Sequence, residues 1–163
     1  MAFDAQTFKQ VMSHWASGIA VITTHYQGEW QGFTANSLAS VSVDPLLISM
    51  SVTKQLYAGE LILKSGVFAI NILKQGQSEW GKLFAGFVKD RPNRFEGIEV
   101  QPDTHGCPLL PDTVAWLSCK LYKTLDVGAS TLLLGEVVDG SVLQGTSPLL
   151  YFQRQWGHFS ADE

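Results

Sequence analysis

The chain has 163 residues, 45% of them hydrophobic and only 16% charged, which excludes a disordered polar chain and provides material for one domain, 1–163, with its own core. A formal charge of −4, with basic residues scattered apart from Lys89 to Arg94, excludes a general phosphate-backbone binder, so nucleic acid is not an expected partner. No apolar run approaches membrane-spanning length and the start MAFDAQTFKQ lacks a signal-peptide pattern, so no membrane is expected and the expected compartment is the cytoplasm.

Asp4 is placed to cap a first helix, with Phe3 before it and Phe8 beyond it at hydrophobic-staple spacing. Phe8, Val11, Met12 and Trp15 then recur at helical spacing, and Gly18 is the expected stop. The β-branched run Ile19 to Thr24 predicts a strand, turned at Gln27-Gly28 into a second strand from Glu29 to Ala35. Gly32 to Val52, GFTANSLASVSVDPLLISMSV, starts with small hydroxyl and amide residues and ends in an apolar run, with a third strand at Leu47 to Val52. Its hydroxyls and amides suit a cradle for a flat polar ring and suit an ordinary Ser/Thr-rich connection equally well.

Leu56, Leu61 and Leu63 allow a short helix before Gly66, and Val67 to Leu73 predicts a fourth strand. Ser78 is a candidate cap for a helix carrying Trp80, Leu83, Phe84 and Phe87 on one stripe. Lys89 to Pro111 holds four of the six prolines and reads as a long surface excursion. Two longer strand patterns follow, Val114 to Leu125 and Thr131 to Leu143, and Leu149 to Phe159 reads as a last strand or an aromatic arm. Six or seven strands with few short helices predict a mainly β chain, an antiparallel Greek-key barrel.

The chemistry available to side chains is thin. His14, His25, His105 and His158 are not at ligand spacing from one another or from a Cys or carboxylate, so no metal is expected. Cys107 and Cys119 fit reduced thiols, Cys119 as a buried small hydrophobe in a strand. No nucleophile elbow, P-loop or Gly-rich dinucleotide turn is present, and Glu96 and Glu99 are an isolated acidic pair. No catalytic side chain is expected; a bound cofactor would carry the chemistry.

Six phrases in order make the chain resemble the short-chain flavin reductases with an FMN-binding split barrel, the reductase partners of two-component flavin monooxygenases. They are GIAVITT (18–24), the 32–52 segment, SGVFAINIL (65–73), RFEG (94–97), LLGEVVDG (133–140) and PLLYFQRQWG (148–157). The resemblance implies a homodimeric split β-barrel that uses NADH or NADPH to reduce FMN or FAD for a partner oxygenase. It implies that Thr34, Ala35, Asn36, Ser37 and Ser40 lie along the flavin ring, with Ser51, Val52, Thr53 and Lys54 following its ribityl chain and phosphate. Phe84, Ala85 and Arg94 then match positions near the phosphate or adenylate end, and Tyr151 to Arg154 border the nicotinamide. Where the family carries Gly-Asp-His-Thr, with the histidine associated with nicotinamide, this chain has Gly128-Ala129-Ser130-Thr131, which places Ser130 at that position. It also has Lys54-Gln55-Leu56-Tyr57 where the family tends to carry Ser/Thr. A flavoprotein that keeps its flavin, as an electron carrier or a reductase of another acceptor, is the alternative within the same fold, and a non-enzymatic ligand-binding barrel is the alternative outside it.

Overall fold

A computed structural model describes residues 3–143 and 147–161. In chain order the elements are α1 (Ala5–Met12), β1 (Ser17–Gly18), β2 (Ala20–Tyr26), β3 (Glu29–Ala35), β4 (Ala39–Val43), β5 (Leu46–Thr53), α2 (Tyr57–Ser65), β6 (Val67–Ile72) and α3 (Ser78–Phe84). They continue with β7 (Gln101–Pro102), β8 (Pro108–Leu109), β9 (Ala115–Val127), β10 (Ser130–Val142), β11 (Leu149–Phe152) and β12 (Gln155–His158). The fold is mainly antiparallel β, as the strand patterns predict.

Seven strands form one sheet in the order β3-β2-β6-β9-β10-β5-β4. Its outer strands, β3 and β4, are joined only by Asn36, Ser37 and Leu38, a reach of at most about 14 Å over four residue steps. So short a link between opposite edges curls the sheet into a barrel that stays split between β3 and β4, which do not pair. The Ser37 hydroxyl bridges the seam, donating to Ser51 O at 3.2 Å and accepting from Ser51 N at 3.1 Å.

Two cores flank the barrel wall, because alternate residues of a strand face opposite sides. Ala20 and Ile22 of β2 join Met50, Phe68, Ile70 and Leu133 inside, where Ala58 and Ile62 of α2 close one end. Ile19 and Val21 face outward into a second cluster with Leu73, Leu83, Phe84, Phe95, Leu110 and Leu149. This is why β2 reads as an unbroken apolar run instead of an alternating one. Gly135 is required at its place, since a Cβ there would run into the Phe68 ring and stand 3.3 Å from Cys119 Cβ.

Several local expectations need correction. α1 starts as predicted, with Asp4 accepting from Thr7 N at 2.7 Å, but it ends at Met12 rather than at Gly18. Ser13 caps it, its hydroxyl donating to Gln10 O, and Gly18 lies in β1. The helix at 78 is preceded by Gln77, whose amide accepts from Lys74 N and donates to Pro111 O and Asp112 O, so Ser78 is no cap. Phe87 lies beyond that helix and is exposed, outside the stripe of Trp80, Leu83 and Phe84. The 39–43 stretch forms an edge strand, and the C-terminal arm is a hairpin of two strands turned at Gln153 and Arg154, both at positive φ. The 89–111 excursion is anchored by the buried Phe95, Cys107 and Leu110. The apolar face of α1 exists as read, yet Phe8, Val11, Met12 and Trp15 are all exposed.

Candidate functional site

β3 delivers the polar ledge, and alternation sorts its members. Ala35 is buried in the barrel core, while Thr34 and Asn36 point to the opposite face. Thr34 Oγ1 donates to Gly81 O at 2.7 Å, tying β3 to α3. Beside them lies a cleft of about 120 Å³ lined by Ile19, Thr34, Asn36, Ala85, Phe87, Tyr151 and Trp156. Four residues singled out from sequence, Thr34, Asn36, Ala85 and Tyr151, thus meet in one place although three separate segments supply them.

The rest of this wall was not foreseen. Trp156 pairs with Tyr151 across the β11–β12 hairpin, their rings 5.3 Å apart, and lies over Gly81. A Cβ on Gly81 would come within 2.6 Å of the indole. Sequence signals for it existed, in an aromatic-rich arm and in a glycine inside a helix, but neither names the other.

Two larger hollows share walls with the cleft. One of about 350 Å³ shares Ile19 and Asn36 and is lined also by Trp15, Ser17 and Leu38. The other, about 420 Å³, shares Trp156 and is lined also by Phe152 and His158. Alone the cleft falls below the roughly 300–1,000 Å³ usual for ligand pockets; with its neighbours it enters that range. The buried Ser17 hydroxyl has no hydrogen-bond partner among the described residues. Small polar groups beside aromatic walls fit a flat heteroaromatic ring better than an aliphatic ligand.

A second group gathers at the other end of β5. Ser51 meets Ser37, Ser40 of β4 pairs with Ile48 of β5, and the buried Val52 lines a hollow of about 400 Å³ with Thr53, Lys54, Leu56, Asp126 and Thr131. Thr53 lies opposite Ser130 in the β5–β10 register, and Lys54 N donates to Ala129 O at 3.1 Å. Lys54 Nζ stands 3.4 Å from Asp126 Oδ2, whose other oxygen accepts from Thr131 Oγ1 at 3.0 Å. Lys54 and Ser130, two of the places where the chain differs from the pattern it resembles, are therefore neighbours.

Eight of the singled-out residues line none of these hollows: Ala35 in the barrel core, Ser37, Ser40, Ser51 and Ser130 on the strands and links beside them, and Phe84, Arg94 and Arg154. The Phe84 ring is buried in the second core, edge-on to Phe95 at 5.1 Å. Arg94 is half-buried and donates through Nη1 to Gly32 O at 3.0 Å and Phe84 O at 3.1 Å. Arg154 is exposed at the tip of the β11–β12 turn.

Away from the cleft, Asp103 accepts from His105 N, Cys107 N and Ser118 Oγ, and Ser118 Oγ in turn meets His105 Nδ1 at 3.1 Å. Burial first, and the Asp103 carboxylate second, push the Cys107 and Cys119 thiols up to about 12. They are structural thiols, not nucleophiles. Among the described residues no cluster of three His, Cys, Asp or Glu could hold a metal ion.

Residues 12–160 match the flavin reductase like domain. A probable flavin reductase of Rhizobium meliloti is 32% identical over 136 residues, 83% of this chain and 43% of that protein, so the chain spans less than half of that relative. The reductase component of a 4-nitrophenol 4-monooxygenase/4-nitrocatechol 2-monooxygenase from Rhodococcus opacus is 30% identical over 96% of this chain and 82% of its own length. Among solved structures, the NADH:FAD oxidoreductase SgcE6 of Streptomyces globisporus, in complex with NAD and FAD fragments, superposes with a TM-score of 0.89 at 27% identity, covering 98% of this chain and 94% of its own.

Proposed function

The chain belongs to the flavin reductase like domain family, and on that premise we propose that it is an oxidoreductase transferring hydride from NADH or NADPH to FMN or FAD. The observation that carries this reading is the cleft where Thr34 and Asn36 face Ala85, Phe87, Tyr151 and Trp156. When bound there, flavin supplies the hydride acceptor at its N5.

The protein's own contribution is binding, orientation and exclusion of water. The Thr34 hydroxyl proton is committed to Gly81 O, so its oxygen is left to accept from an N–H on the ring edge. Asn36 is exposed on the same face and offers an amide that both donates and accepts. Tyr151 and Trp156 supply the apolar flank that limits water on the hydride path. No side-chain acid, base or nucleophile is needed for the transfer, which depends on holding two rings at close range. Ser51 to Lys54 follow the ribityl chain and phosphate along β5, with Lys54 as a point charge at its end.

The exposed apolar face of α1 supports a homodimer in which a second copy covers Phe8, Val11, Met12 and Trp15. The similar Rhodococcus protein is the reductase component of a monooxygenase, which supports a partner oxygenase for this chain as well. The chain is one domain and works in the cytoplasm; among the described residues no helix is long and apolar enough to cross a membrane.

Anaerobic mixing of the purified protein with NADH or NADPH, with and without FMN, FAD and riboflavin, tests the reading. Bleaching of added flavin is expected. Bleaching confined to flavin that stays on the protein would mark an electron carrier, and no bleaching with either nucleotide would refute hydride transfer.

A further inference from the structure

Resting on the flavin-site reading above, we infer that Arg94 is a positioning residue, which sets the wall of the cleft by fastening the end of α3 to β3 through its Nη1. Its Nη1 carries two hydrogens, and both are engaged, one by Gly32 O at 3.0 Å and one by Phe84 O at 3.1 Å. Each acceptor lacks another natural partner. Phe84 is the last residue of α3, where carbonyls have no intrahelical donor. β3 pairs only with β2, so a carbonyl turned away from β2 has no strand to meet. A cation held by carbonyls at a helix C-terminus is electrostatically well placed.

The fastening sits next to the cleft. Ala85 and Phe87, which face Thr34 and Asn36, follow Phe84 directly through Gly86 at φ 82°. Strand and helix touch at Gly32, where a Cβ would stand 3.0 Å from Ile22 O and 3.1 Å from the Phe84 ring. The Thr34 bond to Gly81 O clamps the start of the contact and Arg94 clamps its end. Arg94 is itself seated by its neighbour Phe95, buried edge-on against Phe84 and against Trp30 at 6.0 Å. With the second clamp gone, the 85–87 wall samples several positions, and flavin binds only the fraction that keeps the cleft open to it. If that fraction is one in ten, the apparent flavin affinity falls about tenfold while turnover of the loaded enzyme is unchanged.

Arg94→Ala, Arg94→Gln and Arg94→Lys separate this role from its rivals. For each, KM and kcat are measured with riboflavin, FMN and FAD, riboflavin binding is followed by fluorescence quenching without nicotinamide, and thermal unfolding is recorded. In Arg94→Ala we expect KM and the riboflavin dissociation constant to rise about tenfold, alike for all three flavins, with kcat within about twofold. Lysine restores part of the loss, because its ammonium donates to the same carbonyls without the planar fork. A loss confined to FMN and FAD, with riboflavin unaffected, would make Arg94 a phosphate ligand and overturn the inference. A lower melting temperature with unchanged KM would overturn it in favour of a purely structural role. If the alanine variant does not fold, the glutamine and lysine variants carry the same comparison, since both keep a donor. Wild-type protein that neither binds nor reduces flavin would sink the flavin-site reading itself, whereas an active wild type with unaltered Arg94 variants sinks only the positioning role.

Discussion

Gly81→Ala separates the cleft from the fold. The added Cβ would stand 2.6 Å from Cζ3 and 2.8 Å from Cη2 of Trp156. Ordinary carbon contacts begin at about 3.5 Å, so the indole has to withdraw by roughly 0.9 Å. Alanine in a helix gains about 0.8–1.0 kcal/mol over glycine, and overpacking of this kind costs about 1–3 kcal/mol. The difference is a net loss of about 0–2 kcal/mol, which for a domain of this size lowers Tm by at most about 8 °C. Trp156 is also a wall of the cleft, and an aromatic contact to a bound ring is worth about 0.5–1.5 kcal/mol, a two- to twelvefold change in Kd. Calorimetry and flavin-fluorescence titration should therefore show a modest change in Tm together with a clear loss of flavin affinity. Trp156→Leu as a second site removes the clash, so Gly81→Ala in that background should no longer destabilise. Wild-type flavin affinity in Gly81→Ala, or strictly additive stability effects in the double variant, would refute the reasoning.

Gly135→Ala drives a methyl into Phe68 and Cys119 inside the barrel, and thermal unfolding should show a loss of about 1–3 kcal/mol with flavin affinity of the folded fraction unchanged. Cys107 and Cys119, with thiols raised to about 12 by burial, should resist an aromatic disulfide reagent in the native protein and react in denaturant. Because an unfolded thiol releases its proton near 8.5, the folded state holds more protons above that pH. The thiols' contribution to stability is then complete below about pH 8.5 and falls as pH rises toward 12, which Tm against pH will show. Lys54→Gln should leave Tm nearly unchanged, since its pairing with Asp126 is exposed and worth at most about 1 kcal/mol, yet raise KM for FMN and not for riboflavin. Asn36→Asp should weaken flavin binding, because a carboxylate cannot donate a hydrogen bond; undiminished affinity would remove Asn36 from the site.

What was legible in the chain was whatever a local rule decides. Gln27 and Gly28 both take positive φ, as a tight hairpin needs, and β3 begins and ends where its pattern says. Gly66 stops α2 at φ 70°. β4 was hidden because ASVSV is only five residues long inside a Ser-rich segment: Ala39, Val41 and Val43 do alternate with serines, but the valines stay exposed, and the ladder with β5 is what makes it a strand. The end of α1 was misplaced because a Ser13 hydroxyl bond, not a glycine, closes it. Arg94 stands in a proline-rich stretch where a charge reads as solvated or as a phosphate partner. Its two acceptors, Gly32 O and Phe84 O, become visible only once the 89–100 loop folds back over α3.

The polar ledge is where local reading and fold interact most closely. In sequence, Thr34, Asn36 and Ser37 look like a row of interchangeable donors. In the folded chain Thr34 has given its proton to Gly81 O, and Ser37 exchanges bonds with both backbone groups of Ser51. That leaves Asn36 as the donor of the three whose side chain is exposed beside the cleft. On the proposed reading, recognition of a ring edge by this segment depends on one amide and one acceptor oxygen, while the remaining hydroxyl bonds to Ser51. Ser37→Ala should accordingly act on the seam, through the β3–β4 link, before it acts on any ligand. On the proposed reading the same ledge closes the barrel and meets the ring, so loosening the first task displaces the residue that performs the second.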